Sequence, residues 1–134
     1  MDERRLLLFS LGSWLILMVL GVLNGIIRVG LYADSMTDLQ AHQLSTFTLM
    51  VIILLFTYVL IRFKGFDMTQ RQALIMGVIW TVSTIAFEFI AGHYVFGHSW
   101  DALLADYDIL SGKVWVLIPL TTLVAPYIVR RIIR

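Results

Sequence analysis

The chain has 134 residues, of which 60% are hydrophobic and 14% charged, with a formal net charge of +1. That balance lies outside the soluble globular range and inside the membrane range, and the length suits a single membrane domain spanning residues 1–134. With no cysteine, disulfide staples, thiolate metal sites and thiol redox chemistry are excluded, and no basic tract interleaved with aromatics offers a nucleic-acid interface.

Four apolar spans follow in order, at about 6–27, 44–61, 73–94 and 109–129. Each is close to the roughly 20 residues a helix needs to cross a hydrocarbon core of about 30 Å. Lipid offers the backbone no hydrogen-bond partners, so continuous helix is expected, and short connections make consecutive helices antiparallel. The expected fold is all-α: a four-transmembrane-helix antiparallel bundle. Arg4, Arg5, Arg62, Lys64, Arg71, Arg130, Arg131 and Arg134 fall on one side, against Arg28 and Lys113 on the other. By the positive-inside rule this places both termini in the cytoplasm, in a bacterial inner membrane, with one orientation. The apolar run opening at Leu6 is too long for a signal peptide and lacks a small-x-small cleavage site, so a retained signal anchor is expected.

Span one carries Gly21-x-x-x-Gly25 beside Asn24 and ends at Arg28. Span two opens with His42, Ser45 and Thr46, with Ser35 or Asp38 as the expected helix cap. Span three holds Glu88, the one formally charged side chain in the 25 residues from Ala73 to Gly97. An ionisable group at that depth is costly and ordinarily has a partner or a task. At ~1.5 Å per residue, Glu88 sits ~22 Å up its helix and Lys113 ~6 Å below the outer surface, which makes Lys113 the expected ion-pair partner. Arg28 is the rival, since its long stem reaches down from the rim.

Gly77, Thr81, Thr84 and Gly92 share a face of span three with Glu88. Such small-residue stripes pack helices closely within a bundle; a homo-oligomer face or a substrate groove is the alternative. His93 adds to the polar cluster. Ser99 to Asp108 predicts a short interfacial amphipathic helix between helices 3 and 4, with Trp100, Leu103, Leu104 and Tyr107 at i, i+3, i+4 and i+7 and Ser99 as N-cap. It is either a lid over the polar cluster or a plain interfacial anchor. Trp14, Trp80 and Trp115 fall toward mid-membrane and read as packing residues, and Pro119 and Pro126 predict kinks in span four.

His42, His93 and His98 cluster near one boundary without the facing, depth-matched pair that membrane haem needs, and no i, i+4 metal pair occurs. No cofactor or metal is therefore expected. The sequence also lacks His-Glu-x-x-His, Gly-x-Ser-x-Gly and any phosphate-cradling loop.

The succession Asn24-Gly25-x-x-Arg28, Phe87-Glu88-x-x-x-Gly92, Gly97-x-x-Trp100, Tyr107-Asp108, Gly112-x-x-Trp115 and Ala125-Pro126 resembles a set of uncharacterised small bacterial four-helix membrane proteins, a likeness that brings no activity with it. Fluoride channels are faintly similar at Gly25-x-x-Arg28 and Ser45-Thr46-Phe47-Thr48, but they are dual-topology dimers, against the charge bias here. Small multidrug exporters use one buried Glu in the first of four helices rather than the third. Two main classes of function follow. One is a small transporter or permease-like protein with an outward-facing polar pocket for a small ion or solute. The other is a non-catalytic accessory or structural subunit binding membrane lipid or a protein partner. A third is an enzyme or haem protein at the outer interface.

Overall fold

The computed structural model describes residues 1–65 and 67–133; Arg134, counted above in the charge bias, lies outside them. Among the described residues the chain is helical without strands. Five α-helices follow in order: α1 Glu3–Ile27, α2 Asp38–Lys64, α3 Gln70–Tyr94, α4 Trp100–Ala105 and α5 Leu117–Ile132. Local sequence sets most of these starts. Asp2 accepts from the Arg5 backbone N–H at the head of α1, and Ser99 caps α4 through the Ala102 N–H. Capping boxes Thr37/Gln40 and Thr69/Gln72 open α2 and α3. Neither Ser35 nor Asp38 caps α2: Thr37 takes that role, and Asp38 becomes the first helical residue, where its charge suits the helix N-terminus.

Three helical stretches, Glu3–Ser35, Asp38–Lys64 and Gln70–Tyr94, have the length and apolar composition to cross a membrane, which marks a membrane protein. The stretch expected as a fourth span behaves differently. Ile109–Ser111 forms a 3-10 turn, Gly112 adopts φ 90°, and α5 begins only at Leu117, giving 16 residues. Glycine alone takes that left-handed conformation without strain, so the helix expected from residue 109 is interrupted there. Pro119 then falls in the first turn of α5, where a missing N–H breaks no helical bond, so it starts the helix instead of kinking it. Pro126 is interior.

Helix contacts run α1–α2, α2–α5, α5–α3 and α3–α1, a ring in which α3 against α5 is the most extensive. Gly77 explains that closeness: a Cβ there would lie 2.2 Å from the Leu123 carbonyl oxygen. Thr81 Oγ1 lies 2.9 Å from Thr122 Oγ1 across the same seam, with the Gly77 carbonyl 2.8 Å away as its nearest acceptor. This part of the small-residue stripe is used within the chain, by close packing and hydroxyl bonds, as small residues serve in lipid. The core is dense in the half nearest the termini, where Trp80, Met76, Ala73 and Ile61 are fully buried. Trp80 Nε1 donates to the Ser10 carbonyl at 3.0 Å and to Ser13 Oγ at 3.1 Å, so its polar atom costs nothing in burial.

Both termini and the α2–α3 connection meet at one end. Arg5 Nη1 lies 3.2 Å and the Met1 amine 3.8 Å from Asp67 Oδ2, and Arg130 donates to the Met68 carbonyl. The opposite, distal end carries a π turn at Arg28–Tyr32, a 3-10 turn at Ala33–Ser35, and the α4 connection.

Candidate functional site

Glu88 sits half-buried on the distal part of α3 and is held by two aromatic donors from the segment linking α4 to α5. Trp115 Nε1 donates to Oε1 at 2.6 Å, and the Tyr107 hydroxyl donates to Oε2. An indole N–H is only a donor, so the sense of the Trp115 contact is fixed. Burial, and then the bond to Glu88, push the Tyr107 hydroxyl well above the usual tyrosine range, keeping it protonated as a donor.

The expected Glu88–Lys113 ion pair is not formed. Among the described residues, ion pairs occur only at Asp67. Lys113 lies in the non-helical stretch after Gly112, so counting depth along a continuous helix misplaced it, and Trp115 two residues later takes the carboxylate. Arg28 does not reach Glu88 either: it sits in the π turn, with Nη1 3.5 Å from Ser45 Oγ. Asn24, buried on α1, donates through Nδ2 to the Ser45 carbonyl at 3.0 Å and to Ser45 Oγ at 3.3 Å. Asn24, Arg28 and Ser45 thus form one α1–α2 link, apart from Glu88.

His42 accepts the Val114 N–H at Nε2, 3.1 Å away, so that nitrogen carries no proton. Gln43 donates to the Gly112 carbonyl at 3.0 Å. Together they tie α2 to the connection before α5. Gln43 and Trp115 are the residues that sequence reasoning missed; the signal for Trp115 was its indole donor, which needs a partner when buried. Thr84 is buried lower down and accepts from Trp14 Nε1 at 3.1 Å.

The lid divides. Trp100 stacks on His93 at 3.8 Å between centroids, Leu103 covers Gly92, and Tyr107 stacks on Phe89 at 5.9 Å. His93 Nδ1 pairs with the His98 carbonyl at 2.8 Å, so His93 belongs to the lid contact and not to the Glu88 cluster. Leu104 is 58% exposed and is no part of the covering face, and the helix stops at Ala105, shorter than the expected Ser99–Asp108.

Three cavities converge on Trp115. A deep but half-open chamber of about 190 Å³ is lined by Leu17, Met18, Leu49, Ile53 and Phe87 and reaches Glu88 and Trp115. A side chamber of about 180 Å³ under the lid shares both residues with it. Above lies a vestibule of about 520 Å³ lined by Arg28, Asp38, His42, Asp106 and Lys113, with Trp115 again in its wall. Among the described residues no cluster of three metal-ligating side chains occurs. Compared with protein-family models, curated proteins and solved structures, the chain matches none.

Proposed function

We propose that the chain is a four-span protein of the bacterial cytoplasmic membrane, both termini inside, whose outward half is a pocket for a small ion or solute in a permease-like protein. α5 with the stretch before it serves as the fourth span, and the basic residues gathered at the terminal end support the orientation. One observation carries the pocket reading. Trp115 is the shared wall of a charged vestibule and an apolar chamber, and its indole is tied to Glu88. Two chambers parted by one hydrogen-bonded side chain resemble an occluded path. Below them Trp80, Met76 and Ile61 are fully buried and close the core of the terminal half.

Purified protein in liposomes tests this by osmotic reswelling across a panel of small salts, amino acids and alcohols. Solute-selective reswelling that changes in Glu88→Gln is expected. Rates equal to those of empty liposomes across the panel would remove the permease reading.

A second reading has its own observation. Both Glu88 oxygens accept hydrogen bonds that join α3 to the α4–α5 segment, which is what a register-fixing residue in an accessory or structural subunit would do. On that reading Glu88→Gln lowers stability while no solute ever crosses.

A further inference from the structure

The deep chamber and the vestibule lie one above the other along α1. Met18, Gly21 and Val22 line the chamber, and Arg28 lines the vestibule. Gly21, Gly25 and Arg28 follow at i, i+4 and i+7, so one face of α1 runs from the apolar cavity to the charged one over ~10.5 Å. A Cβ at Gly21 or Gly25 would meet no atom within 4 Å, so this face of α1 is open beside the Trp115 wall. At Gly77, by contrast, the helices touch.

We propose that the two cavities are one site for a membrane phospholipid, with an acyl chain in the deep chamber and the head group in the vestibule. This goes beyond the small-solute reading, on which it rests only in taking the distal cavities as a binding pocket. Charge complementarity selects the occupant. Among the described residues neither Arg28 nor Lys113 has a carboxylate within ion-pair distance, and the one side-chain hydrogen bond of Arg28 is the 3.5 Å approach to Ser45 Oγ. Its remaining N–H donors suit the paired oxygens of a phosphate, with Lys113 as a second cation on the same wall. Asp38 and Asp106 line that cavity too, so a head group bearing an amine beside its phosphate matches both signs.

Size narrows the occupants of the deep chamber: about 190 Å³ falls below the ~300–1,000 Å³ of ordinary small-molecule pockets, which leaves room for a slender group only. A helix of ~10–12 Å diameter is too thick to enter, so a second copy of the chain cannot fill the chamber. A segment of one acyl chain fits, with the remainder of that chain lying outside the half-open cavity. Lipid tails are as apolar as the chamber walls, so the chain gains packing but no hydrophobic transfer, and selectivity rests on the head group.

Native mass spectrometry of the full chain in detergent, incubated with phosphatidylethanolamine, phosphatidylglycerol or diacylglycerol, tests the site. One phosphatidylethanolamine per chain is expected, retained at least tenfold over diacylglycerol and more than phosphatidylglycerol. Gly25→Leu should cut retention at least tenfold while the thermal midpoint is kept, because the added side chain points into open space; Gly25→Ala controls for the backbone. Arg28→Gln with Lys113→Gln should reduce phosphatidylethanolamine to the diacylglycerol level. Equal retention of all three lipids, undiminished binding in Gly25→Leu, or a lipid-free dimer would overturn the proposal. Liposome reswelling reads the pocket separately: reswelling without a lipid adduct ends this inference alone, and an adduct without reswelling ends only the permease reading.

Discussion

Trp115 and Glu88 stand 27 positions apart, and the indole of one donates to the carboxylate of the other at 2.6 Å. The bond fixes the wall between vestibule and deep chamber, and it pins an irregular segment to α3. Hydrogen bonds to charged groups contribute about 1.5–3 kcal/mol and neutral ones about 0.5–1.5. Trp115→Phe should therefore cost more in the native background than in Glu88→Gln, with a coupling of about 1 kcal/mol in a double-mutant cycle by unfolding in micelles. Coupling near zero would mean that the contact does not hold the segment.

Lys113 supplies the contrasting expectation. It forms no ion pair among the described residues, so combining Lys113→Gln with Glu88→Gln should give the sum of the single effects within about 0.5 kcal/mol. A double variant markedly more stable than that sum would restore the ion pair read from sequence.

The glycines rank themselves. At Gly77 a Cβ would lie 2.2 Å from backbone, at Gly92 it would lie 2.7 Å from the movable Leu103 Cδ2, and at Gly21 it meets nothing within 4 Å. Overpacking typically costs about 1–3 kcal/mol, whereas removing a helix-interior glycine without a clash gains about 0.5–1. Gly77→Ala should therefore be the most damaging, Gly92→Ala intermediate, and Gly21→Ala neutral or stabilising in thermal unfolding. Equal tolerance at Gly77 and Gly21 would contradict the tight α3–α5 seam.

Those glycines also show where the sequence was legible. Uninterrupted apolar runs marked the three long helices, because in lipid only a helix satisfies the backbone. The fourth run was apolar as well, but Gly112 could be read either as packing or as a break, and only its φ of 90° makes it a break. That one ambiguity propagated. A continuous helix from residue 109 puts Lys113 beside Glu88 by depth and leaves Trp115 as mid-membrane packing. Spacing makes Tyr107 a lid residue, yet its bond to Glu88 depends on how the connection turns after Ala105, which no periodicity encodes.

Tyr107 gives the pH expectation. Its hydroxyl is raised above the ordinary value of 10.0, by burial first and then by the Glu88 carboxylate it bonds. In the unfolded chain a tyrosine loses its proton near pH 10, whereas folded Tyr107 keeps it, so above that pH the unfolded state binds fewer protons. The contribution is complete below about pH 10 and is lost as pH rises beyond it, with at most ~1.4 kcal/mol per pH unit for one proton, reduced by solvent at this half-exposed ring. Wild type should therefore lose unfolding stability between pH 9 and 11 more steeply than Tyr107→Phe, which lacks the titrating group while the other tyrosines and the lysines stay common to both. Parallel curves across that window would show that Tyr107 is not held protonated against Glu88.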